Sequence, residues 1–125
     1  MKEITLSVLG TAFALSLIAV SYIAPVQAAN ERHYQERWCN ANGGKMEVRV
    51  RGGRVDCVTA RFAVEFDFAD GWKECIAQAR WYALMTGKHP ACALIMGPGD
   101  QKYREMLDHY LSMYDVYLKV IEVKK

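Results

Sequence analysis

The stretch RFAVEFDFADGW, residues 61–72, decides how this chain folds. Phe62, Val64, Phe66 and Phe68 recur at every second position, and Ala63, Glu65 and Asp67 fall between them. A period of two predicts a strand over Phe62 to Phe68 with one aromatic, core-facing side. The other side then carries two carboxylates roughly 7 Å apart along the strand. If the sheet is covered on one side only, those acids point to water. If helices cover both sides, they point into a cleft or under a helix, so the neighbouring elements decide what the acids are for.

Before this strand, Asn30 is suited to cap a helix from about Glu31 to Ala41, which Asn42-Gly43-Gly44 ends. Lys45 to Val50 alternates as a strand, and Arg51-Gly52-Gly53-Arg54 is a two-glycine hairpin turn that makes Val55 to Thr59 its antiparallel partner. After it, Asp70 is placed to cap a helix from Gly71 to about Thr86, with Gly87 as its stop. That helix is apolar on more than one face, through Trp72, Ile76, Ala79 and Ala83 and through Trp81 and Leu84, as expected of a helix wedged between elements. Ala91 to Met96 is apolar throughout and predicts a buried central strand. Gly97-Pro98-Gly99-Asp100 turns into a final helix with Tyr103, Met106, Leu107, Tyr110, Leu111 and Tyr114 on its core face. Val116 to Val123 is a last strand, and Lys119, Lys124 and Lys125 suit an edge. The predicted order is α-β-β-β-α-β-α-β. The central strand-helix-strand crossover implies an α/β fold, with a mixed sheet and helices on both faces.

The first 28 residues have a short charged start, an apolar run from Ile4 to Ile23 and small residues near Ala28, the pattern of a signal peptide. Residues 29–125 are then a single exported domain, periplasmic or secreted, with no later apolar run long enough to span a membrane. An uncleaved anchor is the alternative. The net charge of +2 is too mild to argue for nucleic acid or an anionic membrane by itself. Cys39, Cys57, Cys75 and Cys92 all follow the signal segment, where an oxidising compartment favours disulfides. Of three connectivities, Cys39 with Cys57 and Cys75 with Cys92 is favoured, since each pair staples a helix to a nearby strand. Each closes a loop of about 18 residues, which contributes roughly 3 kcal/mol. No C-x-x-C pair supports zinc.

Asp56, on the strand before, can reach the face of Glu65 and Asp67. Three carboxylates together repel unless a proton or cation relieves them, and an all-oxygen set suits Mg²⁺, Mn²⁺ or Ca²⁺. A solvated strand face has the same alternation. Arg49, Arg51, Arg54 and Arg61 cluster around the hairpin, where they can contact phosphates or simply meet water. His33, His89 and His109 share no ligand spacing and receive no role.

The layout resembles the PD-(D/E)XK, or restriction endonuclease-like, nuclease superfamily. The matching pieces are RVDC with Asp56, VEFD with Glu65, and the helix segment QARWY with Gln78 and Tyr82 four apart. Glu47 matches the extra acid of some members. The run from Gly52 to Lys88 is also similar to a group of small exported bacterial proteins. The resemblance implies a nuclease acting on DNA through a divalent metal held by Asp56 and Glu65; Asp67 departs from its pattern and is alternatively a further metal ligand. Asp67 stands where the superfamily signature has a lysine, so Lys73 from the following helix becomes the candidate charge stabiliser, with Gln78 and Tyr82 ordering the site. The rival expectation is a non-catalytic protein that kept the fold, lost the lysine, and binds a metal or a protein partner. An inhibitor or immunity-like protein is a third.

Overall fold

The computed structural model describes residues 23–125, with side chains from Glu31 onward. The signal segment expected over residues 1–28 therefore falls largely outside the described residues. Helix α1 spans Ile23–Ala41, so Asn30 lies inside it and does not cap it.

Strands β1 (Lys45–Val50), β2 (Gly53–Val58) and β3 (Phe62–Phe68) follow, then helix α2 (Trp72–Thr86), strand β4 (His89–Met96), helix α3 (Gln101–Met113) and strand β5 (Lys119–Lys124). The α-β-β-β-α-β-α-β order expected from the sequence is the order found. The five strands form one sheet in sequence order, with β5 at an edge as its lysines suggested. β1, β2 and β3 pair antiparallel, while β3 with β4 and β4 with β5 pair parallel. Two parallel pairs require two crossovers, which α2 and α3 supply.

α1 covers one face of this mixed sheet, packing Trp38 and Cys39 against Val64, Phe66, Ala93 and Ile95. α2 and α3 cover the other, where Trp72, Cys75, Ile76 and Leu107 meet Cys92 and Leu94. The alternation of β3 divides as its sequence implies, Val64 and Phe66 toward α1, and Ala63 toward Tyr82 and Ala83 of α2. Cys39–Cys57 ties α1 to β2 and Cys75–Cys92 ties α2 to β4, one disulfide on each face and in the favoured connectivity. No described helix is long and apolar enough to cross a membrane.

Two expected caps take other forms. Asp70 lies in a 3₁₀ turn, Ala69–Gly71, and gives α2 no side-chain cap; Gly71 holds the cap position instead. Asp100 precedes α3, but its carboxylate accepts the Gly97 N–H at 2.8 Å and so closes the turn before the helix.

Candidate acidic site

The site begins with a defect in the first hairpin. Met46 opposes Cys57 and Val48 opposes Val55, which leaves Glu47 across from Asp56. Glu47 has φ of +56°, a conformation that costs a non-glycine residue on the order of 1 kcal/mol or more and is retained only where the surroundings impose it. Its effect is to turn the ribbon over. Met46 and Cys57 join the core under α1, whereas Val48 and Val55 join the one under α2. In an undistorted strand, residues two apart would have shared a face.

This twist opens a fork between β2 and β3. Their ladder pairs Cys57 with Val64 and Val58 with Ala63, and at the next step side chains take over from backbone. The Asp56 N–H donates to Glu65 Oε1 at 3.2 Å, and the Phe66 N–H donates to Asp56 Oδ2 at 2.9 Å. Each carboxylate thus takes a backbone donor of the opposite strand, and the two acids meet. From α1, the Gln35 amide donates to the Asp56 carbonyl at 2.9 Å and to Glu47 Oε1 at 3.2 Å. Gln35 and Glu65, 3% and 4% exposed, are the buried polar side chains of the described protein, and both serve this fork. Arg54 lies against Glu47 as an ion pair without the alignment of a hydrogen bond. Tyr82 positions that arginine, its hydroxyl accepting the Arg54 N–H at 3.3 Å. Trp81 pins the same hairpin by donating from its indole to the Arg51 carbonyl at 3.0 Å. Gly52, at φ +86°, is pressed against that indole and leaves no room for a Cβ.

The electrostatics follow from burial and crowding. Glu65 is pushed up to about 9, first by burial and next by the charge of Asp56. Asp56 is also raised by burial, against the lowering effect of the Phe66 N–H. Burial and the neighbouring charge of Asp56 thus both favour the protonated form of Glu65. Glu31 of α1 is raised to about 7 by burial and then by Asp56, Asp67 and Glu47, so the helix delivers a further acid to the fork. Asp67 is raised to about 6, mainly by burial and also by Glu74, Asp70 and Asp56. Its carboxylate lies directly over the Cα of Gly71, a position that a side chain there would fill.

Of the residues singled out in the sequence, the fold brings Asp56, Glu65 and Asp67 to one place and sets Tyr82 behind them. Lys73 does not join them. It is exposed, with Nζ 5.5 Å from the centre of the Trp72 ring, on the side of α2 that faces α3. The reason is helix phase. Burial of Trp72, Cys75, Ile76 and Ala79 turns Gly71 and Glu74 toward Asp67 and carries Lys73 round to the opposite edge. Gln78, also exposed, follows Glu74 by one turn and makes no side-chain hydrogen bond among the described residues. The arginine cluster is surface-lying, with Arg61 over the ring of Phe62 and Arg54 committed to Glu47. Among the described residues no three acidic, histidine or cysteine side chains are drawn into the shell of a metal ion.

Glu31 and Gln35 are the site residues that the strand motifs missed. A signal existed: Glu31, Gln35 and Cys39 are spaced four apart, and Cys39 is bonded to the residue next to Asp56. Whatever face carries Cys39 must carry the other two toward the acids.

No protein-family model matches the chain, and no solved structure matches it. Among curated proteins it is 28% identical over 92 residues to a protein of Acanthamoeba polyphaga mimivirus named KilA-N domain-containing protein L33. The match takes in 74% of this chain and 37% of the viral protein, so the chain spans little more than a third of that relative's length.

Proposed function

We propose that this domain is a divalent-cation-binding protein of nuclease-like architecture, with Mg²⁺ or Mn²⁺ held by Asp56 and Glu65 and assisted by Asp67 and Glu31. The observation that carries this is the β2–β3 fork, where buried Glu65 and half-buried Asp56 each accept a backbone N–H of the opposite strand, with Asp67 and Glu31 beside them. A cation would relieve the repulsion among them, and an all-carboxylate donor set fits a hard ion. The residues fit in chemistry, although the side chains need to close up to form a full shell. Two disulfides, one per sheet face, support an exported setting, and a protein partner fits this non-catalytic role.

A second function, hydrolysis of phosphodiesters in DNA, is favoured by the placement of the acids on the second and third strands of the meander, as in the family the sequence resembles. Bound at the fork, the cation would supply Lewis-acid polarisation of the phosphate. Against it stands the position of Lys73. With Asp67 in the signature lysine's place and Lys73 on the other edge of α2, the lysine expected to steady transition-state charge is not at the fork.

Calorimetric titration of the disulfide-intact protein with Mn²⁺, beside a plasmid and single-stranded DNA cleavage assay, tests both. Saturable Mn²⁺ binding that Asp56→Asn abolishes, without cleavage, is the expected result. Cleavage that Asp56→Asn removes would establish the nuclease instead, and the absence of Mn²⁺ binding would sink both.

A further inference from the structure

On the far edge of α2 from the acids, α2 and α3 leave a cavity of about 450 Å³ lined by Trp72, Lys73, Ile76, Ala77, Arg80 and Tyr110. Lys73, Ala77 and Arg80 are four and three residues apart, so they form one exposed stripe with two cations flanking a methyl group. Trp72 and Ile76 are the buried residues of the lining. Tyr110 enters from α3, its ring 6.0 Å from that of Trp72 and tilted by 59°. Among the described residues neither Lys73 nor Arg80 forms a salt bridge, and Lys73 lies over the aromatic face of Trp72. Two unpaired cations at the lip of an aromatic hollow ask for a negative charge and a flat apolar body together.

We infer that this groove binds a small planar aromatic anion, its ring system against Trp72 and Tyr110 and its acid group between Lys73 and Arg80. A neutral aromatic leaves both cations unanswered, and a compact inorganic anion leaves the aromatic walls in water. The volume lies in the range of pockets that enclose small organic ligands, about 300 to 1,000 Å³. The ligand goes beyond the cation proposed for the fork, and it engages the opposite edge of the same helix. An aryl sulfonate or carboxylate and a nucleoside monophosphate share the required chemistry.

The test uses the full disulfide-bonded domain and two aromatic anions, naphthalene-2-sulfonate and adenosine 5′-monophosphate, with adenosine and ribose 5-phosphate as controls. Binding is followed by backbone amide chemical shifts. Saturable binding of at least one aromatic anion, with shifts centred on Trp72, Arg80 and Tyr110, is expected; which of the two binds tells an aryl acid from a nucleotide. The controls should bind at least tenfold more weakly. Arg80→Glu and Lys73→Glu should each weaken the aromatic anion at least tenfold, and Arg80→Glu, at an exposed side chain on the edge of α2 away from the acids, should leave the thermal midpoint and the Mn²⁺ titration unchanged. If neither anion gives saturable shifts at millimolar concentration, or if charge reversal leaves binding intact, the inference is wrong. Adenosine binding as tightly as its monophosphate would also overturn it, because the cations would then have no part.

Discussion

Glu65→Gln is the most direct test of the acidic fork. Glutamine copies the protonated form of glutamate, with an oxygen to accept the Asp56 N–H and an amide to donate toward the Asp56 carboxylate. Wild-type Glu65 is raised from 4.5 to about 9 in the folded protein, and Glu31 and Asp67 are raised to about 7 and about 6. The native state therefore holds more protons than the unfolded chain between those limits. Stability is fully present below the unfolded values and falls as pH rises through the folded ones. The slope is about 1.4 kcal/mol per pH unit for each proton retained. Keeping Glu65 protonated at pH 8 costs at most about 5 kcal/mol relative to a group that never ionises. Relaxation of the fork and entry of water bring the expected gain for Glu65→Gln to about 2 kcal/mol or more at pH 8, falling to near zero at pH 5. Denaturant unfolding in chelator at pH 5, 6.5 and 8, with disulfides intact, measures it. Added Mn²⁺ should then stabilise the wild type at pH 8, by an amount that grows with concentration, and not the variant. A wild type whose stability is flat from pH 5 to 8, or a Glu65→Gln protein equally destabilised at every pH, would refute the reasoning.

Other perturbations separate the parts of the site. Gln35→Leu removes the donor to two acceptors in the fork and should cost about 2 kcal/mol, read from the denaturant midpoint. Gly71→Ala drives a methyl group into the Asp67 carboxylate, so a loss of about 1 to 3 kcal/mol is expected together with weaker Mn²⁺ binding by calorimetry. Tyr82→Phe loses the hydroxyl that accepts the Arg54 N–H, worth about 1 kcal/mol in thermal or denaturant unfolding. Replacing Cys39 and Cys57 together by serine should lower stability by roughly 3 kcal/mol, and amide exchange should then rise in α1 before it rises in β3.

The contrast between β3 and its partners shows where sequence stops informing on this fold. β3 was legible because its pattern is local: alternate residues of one strand must face opposite ways, and Phe62 to Phe68 commit one face to the core. The disulfides were legible because their loops are short and each had one helix and one strand to join. The fork was not, because it depends on one backbone angle. Met46-Glu47-Val48 alternates in sequence like any strand, and nothing in those three residues announces that Glu47 takes φ +56° and sends its two neighbours into different cores. Lys73 failed for a related reason. Distance along the chain brought it near Asp67, but helix phase is set by what the sheet buries, and the burial of Trp72 and Ile76 left Gly71 and Glu74 to face the acids. The position that touches the Asp67 carboxylate is thus a glycine. A lysine introduced at Gly71 would start from the residue nearest the aspartate that occupies the signature lysine's place. Whether Gly71→Lys confers Mn²⁺-dependent cleavage on a protein that otherwise only binds the ion is therefore the sharpest division between the two functions. Cleavage by Gly71→Lys but not by wild type would mean that a single missing cation separates this fork from a nuclease, whereas cleavage by wild type would mean that the charge it needs comes from elsewhere.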